Sequence, residues 1–256
     1  ARAALNRTTR RWPRPPDNMS RRRLAASGPR TFTSAWLSWR PRVCLFHGFL
    51  SADEAAALIA LADRQEACAT HSAGAARTSS GCWLPRCDAP AHLWRSADER
   101  LLVTSVEERI SHATGIPLPH GEPSQILRYA RGQRYALHPD FFDPEDACEL
   151  ANGGNRQATM LIYLSSLAHA DGGATHFPRA ELRVQPRCGD ALLWWNTRCD
   201  GRVDPSSAHA GEVVLSSTSK WVLSKWLRQR PFQVDFGSWN EPGRRRARRR
   251  REPSRA

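Results

Sequence analysis

His138 and Asp140 stand two residues apart in Tyr135-Ala136-Leu137-His138-Pro139-Asp140-Phe141-Phe142, and His209 follows much later in Ser207-Ala208-His209-Ala210-Gly211. On a strand, residues i and i+2 leave the same face about 6.6 Å apart along the chain. Two such side chains joined by a third from a distant strand make a 2-His-1-carboxylate triad. That triad binds Fe(II) on one face and leaves adjacent positions open for a chelating co-substrate and O2. A His-x-Asp tripeptide proves nothing alone, since roughly half of one arises by chance at this composition. The elements that must position the three residues decide the matter.

Thr159–Leu164 is a short, nearly continuous apolar run, the pattern of a strand buried on both faces. Asp171-Gly172-Gly173 then marks a turn, Leu182–Pro186 alternates with period 2, and Gly189-Asp190 opens the apolar Ala191–Trp195. Val213–Leu215 and Lys220–Leu227 complete a series of short strands separated by Gly, Pro, Asp and Asn, as expected of a β-sandwich or closed barrel. Two helices are expected before the barrel. Ser51-Ala52-Asp53-Glu54 is a capping box that opens an Ala/Leu-rich helix to about Arg64. A second helix runs from Asp98 to Thr114, with Leu102, Val106, Ile110 and Ala113 on one stripe and Gly115 just past its end.

From Phe46 to Phe232 the chain resembles a prolyl 4-hydroxylase of the Fe(II)/2-oxoglutarate dioxygenase superfamily. The resemblance rests on the His138-Pro139-Asp140 block, Gln125-Ile126-Leu127-Arg128-Tyr129, Asp171-Gly172-Gly173, Arg187-Cys188-Gly189-Asp190-Ala191-Leu192, Asp204 to Gly211, and Lys220-Trp221 through Lys225-Trp226. It implies a mainly β fold with flanking helices, built on a double-stranded β-helix (jelly-roll) core. It implies Fe(II) on His138, Asp140 and His209, with 2-oxoglutarate and O2 as co-substrates and ascorbate to rescue uncoupled iron. The reaction it implies is hydroxylation of peptidyl proline at C4, coupled to conversion of 2-oxoglutarate to succinate and CO2.

The same resemblance assigns Lys220 and Tyr129 to the far carboxylate of 2-oxoglutarate, with Thr175 adding a hydroxyl. A dianion inside an apolar barrel needs a cation, because an unpaired buried charge is costly. Lys220 and Lys225 are the only lysines in a chain with 38 Lys and Arg together, and five residues apart on a strand they face opposite ways. The step of 11 residues from His209 to Lys220 is one longer than in the family, and the extra residue falls in the Leu215–Ser219 turn. On the peptide side, Tyr135, Arg156, Glu122 and Trp226 match positions that line the family's groove for a proline-rich peptide, which docks on aromatic surfaces as a polyproline II helix. Tyr135 shares a face with His138 only if the strand bends between them, and Trp226 reads equally as core or as substrate contact.

Rival readings are a hydroxylase or demethylase of lysine, a small metabolite or nucleic acid, and a non-catalytic jelly-roll binding module. The net charge of +13 is unevenly spread: residues 1–42 carry +10, residues 240–256 carry +6, and 43–239 carry −3. The reading is therefore a basic stem or linker (1–42), a dioxygenase domain (43–239; helical support about 46–115, barrel about 122–232) and a basic tail (240–256). The run Arg244–Arg251 is expected to repel itself and stay disordered; it is either simply solvated or touches nucleic acid or a targeting receptor. The acidic core argues against nucleic acid as its own partner. No stretch of 18 apolar residues is present, and only the family resemblance suggests the endoplasmic reticulum or secretory pathway. The seven cysteines have no paired zinc spacing and read as free thiols or, in a secretory compartment, as disulfides of unassigned pairing.

Overall fold

A computed structural model of the chain describes residues 8–11, 31–64 and 77–236. Its strands are β1 (Thr8–Arg11), β2 (Thr31–Trp39), β3 (Arg42–His47), β4 (Ser80–Trp83), β5 (Gln125–Tyr129) and β6 (Tyr135–His138), followed by β7 (Arg156–Tyr163), β8 (Thr175–Phe177), β9 (Leu182–Val184), β10 (Ala191–Trp195), β11 (His209–Gly211) and β12 (Lys220–Arg228). They form two antiparallel sheets, a major one in the order β1-β2-β3-β10-β7-β12-β5-β4 and a minor one in the order β6-β11-β8-β9. This is the jelly roll, with the minor sheet facing the inner side of the major sheet and helices covering the outer side.

Alternation along the strands sorts side chains between two cores. Ile126, Ile162, Leu193 and Leu223 point outward and pack with Leu58, Leu61, Leu102, Val106 and Ile110 of helices α1 (Ala52–Arg64) and α2 (Ala97–Thr114). Leu127, Tyr163, Leu192, Trp194 and Val222 point inward and meet Phe177, Val184 and Val214 from the other side. Because the major sheet is covered on both faces, β7 and β10 read as apolar runs rather than as alternations.

Both helix starts form as their sequences require. Ser51 Oγ accepts from the Glu54 amide at 2.9 Å, and the Glu54 carboxylate accepts from the Ser51 amide at 2.8 Å. Helix α2 is capped by Ser96 and ends on Gly115 at φ 72°. Glu54 also takes a 2.7 Å ion pair from the buried Arg109, which ties α1 to α2. The turn before β8 needs Gly172, whose φ is 67° and whose missing side chain lets the Val213 carbonyl approach. A short helix, α3 (Ala147–Ala151), lies between β6 and β7.

The structure corrects the proposed stem. Thr31–Trp39, placed there with the Arg- and Pro-rich residues before it, is strand β2 and pairs along β3 from Thr33↔His47 to Trp39↔Arg42. Phe32 is buried against Phe46 and Phe49, with ring centroids at 5.6 and 5.3 Å. The bulk composition of residues 1–42 hid a nine-residue stretch without Arg or Pro and rich in Thr, Trp and Phe, residues that fit a pleated surface. Strands β3 and β4 likewise belong to the major sheet, which widens it beyond the expected barrel limits. Residues 1–7 and 12–30, the basic tail and Cys68 lie outside the described residues. All six described cysteines are free, Cys44 and Cys82 buried among them. Among the described residues no helix is long and apolar enough to cross a membrane.

Candidate active site

The two histidines come from neighbouring strands of the minor sheet. His209 on β11 lies directly opposite His138 on β6, with ring centroids 4.4 Å apart. Asp140, just beyond β6, faces the same way as His138, as period 2 requires. One ligand atom from each of His138, Asp140 and His209 lies within 4.8 Å of the others. The Nδ1–H of His138 donates to the Ala136 carbonyl at 2.8 Å, and that of His209 to the Ser207 carbonyl at 3.1 Å. A carbonyl can only accept, so both protons sit on Nδ1 and both Nε2 lone pairs are left facing inward. Those Nε2 atoms stand 3.7 and 3.8 Å from the Asp140 carboxylate, too far for hydrogen bonds. Three donors gathered without bonding one another are arranged for a cation between them.

The electrostatics keep these groups in their metal-ligating forms. Burial, with His209 beside it, pushes His138 down to about 4, and burial likewise lowers His209. Burial alone would raise Asp140, but His209, His138, Arg156 and the Thr159 hydroxyl together hold it below the usual carboxylate range. Trp194 meets His209 edge-on at 4.5 Å and Phe177 flanks it at 5.5 Å, so the ring is held by aromatic contacts on the inner core side.

At the other end of the cavity, β12 presents Lys220, Val222, Ser224 and Trp226 inward and Leu223, Lys225 and Leu227 outward. Lys220 lies opposite Tyr129, its Nζ 5.7 Å from the Tyr129 ring and 5.9 Å from the Tyr163 ring. Lys220 therefore faces the barrel interior and Ser219 does not take its place. Lys220 is 3% exposed and, among the described residues, makes no hydrogen bond or ion pair. Burial pushes its pKa down to about 8, opposed only in part by Glu212. Tyr129 is pushed up to about 12 by burial. Thr175 is buried and accepts a 2.8 Å hydrogen bond from the Tyr163 hydroxyl. Lys225, on the opposite face, is paired with the buried Glu107 of α2.

One cavity joins these ends, lined by His138, Asp140, His209, Lys220, Tyr129, Thr175, Tyr135 and Trp226 among others. Tyr135 stacks on His138 at 3.5 Å, because the pairing slips between His209 and Gly211 and a bulge turns an offset of three onto one face. The four peptide-side candidates separate here. Tyr135 and Trp226 line the cavity, whereas Glu122 and Arg156 lie beside it as an ion pair, Arg156 Nε to Glu122 Oε1 at 2.7 Å and Nη2 to Oε2 at 2.8 Å. Arg228 adds a third charge at 2.6 Å, and Arg156 lies over the Trp226 ring at 4.3 Å. Burial would raise the Glu122 carboxyl, but Arg156 and Arg228 outweigh it and hold it low. A buried carboxylate requires such partners, and they draw Glu122 away from the cavity.

Sequence reasoning missed a residue that touches the triad and a second that bonds it from behind. Thr159 on β7 donates from Oγ1 to Asp140 Oδ2 at 2.7 Å, and Asn196 Nδ2 donates to that same Oγ1 at 2.9 Å. The only available signal was that Thr159 heads the inward series Thr159, Leu161, Tyr163, and nothing in the sequence set Asn196 opposite it.

Residues 124–228 match the family model of the 2OG-Fe(II) oxygenase superfamily. The chain is 36% identical over 225 residues to probable prolyl 4-hydroxylase 3 of Arabidopsis thaliana, covering 77% of this chain and 73% of that protein. It is 37% identical over 227 residues to probable prolyl 4-hydroxylase 10 of the same plant, covering 77% and 72%. Among solved structures, the viral collagen prolyl hydroxylase of Paramecium Bursaria Chlorella virus-1, in its 2OG complex, superposes with a TM-score of 0.57. That superposition covers 73% of this chain and 95% of that one at 24% identity, a likeness of fold.

Proposed function

Because the chain belongs to the prolyl 4-hydroxylase family of the 2OG-Fe(II) oxygenases, we propose that it hydroxylates peptidyl proline at C4 while 2-oxoglutarate and O2 become succinate and CO2. The observation that carries this reading is one cavity with three converging ligand atoms at one end and, at the other, the buried Lys220 ammonium, which has no hydrogen bond or ion pair among the described residues. His138, Asp140 and His209 fit a divalent cation by donor type and spacing, and would hold Fe(II). The bound iron supplies the O2 activation and one-electron chemistry, which no side chain can.

The protein's own part is positioning. The Ala136 and Ser207 carbonyls hold the imidazoles with Nε2 forward. Lys220 neutralises the far carboxylate of 2-oxoglutarate, with the Tyr129 hydroxyl as a second donor and Thr175 nearby. The apolar walls Leu127, Leu161 and Val222 exclude water from the reacting end. Tyr135 and Trp226 offer aromatic faces to an extended proline-rich peptide, and the Glu122–Arg156–Arg228 cluster braces Trp226 from behind. Ascorbate would restore iron oxidised in turnovers that miss the peptide.

Proline-rich peptides are expected to stimulate succinate formation well above free proline, lysine peptides or methylated oligonucleotides, and to gain one oxygen by mass at a proline. Equal stimulation by a methylated oligonucleotide would overturn the substrate assignment.

The state of Lys220 predicts a pH dependence. The dianion favours the charged ammonium, so 2-oxoglutarate affinity should be flat below the free-site pKa of about 8 and fall by up to tenfold per pH unit above it. The protein without co-substrate shows the opposite sign. Its folded pKa of about 8 lies below the ordinary lysine value of 10.5, so the unfolded state binds more protons between them and stability rises across that window. Isothermal titration across pH checks the first expectation and denaturant midpoints the second. In Lys220→Arg the guanidinium stays charged, and the alkaline break should vanish.

A further inference from the structure

We infer that Thr159 and Asn196 form a positioning relay that restricts Asp140 to binding metal through one oxygen. The inference rests on the reading of His138, Asp140 and His209 as an Fe(II) site. Thr159 and Asn196 are 1% and 0% exposed. Burying a hydroxyl and a carboxamide this deeply is unfavourable unless bonds are made; the Thr159 hydroxyl makes two, and Asn196 makes one through Nδ2 while its Oδ1 has no partner among the described residues. The Asn196 backbone is pinned on both sides, its amide donating to the Gln157 carbonyl at 2.8 Å and its carbonyl accepting from the Asp204 amide at 2.8 Å. Its side chain is thereby delivered to Thr159, whose own Cα partner across the sheet is Trp194.

The direction of the relay follows from chemistry. An ionised carboxylate only accepts, so the single hydroxyl proton of Thr159 goes to Asp140 Oδ2 at 2.7 Å. The hydroxyl lone pairs remain for the Asn196 Nδ2–H at 2.9 Å. Among the described residues Thr159 is the only hydrogen-bond donor to Asp140. Oδ2, 3.8 Å from His209 Nε2, is thus engaged by Thr159, whereas Oδ1, 3.7 Å from His138 Nε2, accepts no hydrogen bond among the described residues and is the oxygen left to ligate.

A carboxylate that grips a metal with both oxygens takes two coordination positions instead of one. With two histidines, a two-oxygen grip on a six-coordinate ion leaves two open positions. A chelating 2-oxoglutarate fills both, and nothing remains for O2. Holding Oδ2 in a hydrogen bond keeps the third position open. Thr159 and Asn196 therefore act through Asp140 and touch neither metal nor substrate.

The test is anaerobic Co(II) titration of the metal-free full chain, followed by 2-oxoglutarate, read by the visible ligand-field spectrum. Thr159→Val keeps the side-chain shape and should weaken Co(II) binding about 10–100-fold, the range for losing a partner of a metal ligand, and alter the spectrum. Thr159→Ser should bind within a few fold of the unchanged chain, with its spectrum restored. Asn196→Leu, similar in volume, should fall between the two and carries the test if Thr159→Val does not fold. Wild-type affinity and spectrum in Thr159→Val, or a Thr159→Ser as impaired as the valine variant, would overturn the relay and assign Thr159 to packing. Failure of the unchanged chain to bind Co(II) would instead overturn the iron-site reading on which the relay rests.

Discussion

His209→Ala is expected to abolish 2-oxoglutarate turnover. It removes one of three ligand atoms that lie within 4.8 Å of one another, and no other His, Cys, Asp or Glu cluster among the described residues can take over. The loss should exceed the ~10–100-fold cost of losing a mere hydrogen-bond partner of a ligand. His209 is also buried between Trp194 and Phe177, so the variant will lose a few kcal/mol of stability to the space it leaves. Metal affinity, succinate formation and a cooperative melt should therefore be measured together. His138→Ala, at a less buried ring, should lose turnover equally with a smaller stability cost. Substantial succinate production by either variant in a folded state would show that the triad does not hold the iron.

The second large effect separates the two lysines. Lys220→Ala should weaken 2-oxoglutarate binding by about 3 kcal/mol or more, more than a hundredfold, because the far carboxylate would be buried without a cation. The unliganded protein should melt no lower, since the change removes a buried charge that has no ion-pair partner among the described residues. Lys225→Ala should do the reverse. It strands the Glu107 carboxylate, 1% exposed, with neutral donors such as the Ser124 hydroxyl and the Cys87 amide and no ammonium. Breaking a buried pair in this way costs about 3–5 kcal/mol of stability, while co-substrate affinity in the folded fraction stays near normal. Denaturant melts and calorimetric titration of both variants check the pair. If Lys225→Ala lost binding and Lys220→Ala lost stability, the register of β12 would be wrong by one residue.

The reach of sequence reasoning differs from residue to residue. The triad was legible because its chemistry is local: His138 and Asp140 share a face by strand period, and only the partner strand of His209 had to be supplied by the resemblance. Lys220 was legible because two lysines five apart on one strand must point opposite ways, and the fold confirms both directions with Tyr129 on one side and Glu107 on the other. The helix start at Ser51 is equally local, closed by a hydrogen bond to a residue three positions on; the second helix was read from Asp98, whereas its cap is Ser96. Strand β2 was missed because composition was averaged over a window longer than the strand.

What the sequence by itself determined is the set of faces: which side chains leave a strand together, where helices start, and which residue types gather on one side. Those follow from backbone periods of 2 and 3.6 and from local hydrogen bonds. What only the tertiary structure decided is which face meets which. The bulge opposite His209 that stacks Tyr135 on His138, the arginines that draw Glu122 out of the cavity, and the placing of Asn196 and Thr159 behind Asp140 all depend on pairings between residues 19 to 106 positions apart. No local rule specifies such pairings, because strand register and the neutralisation of buried charge are settled across the sheet, by the partners that packing brings within reach.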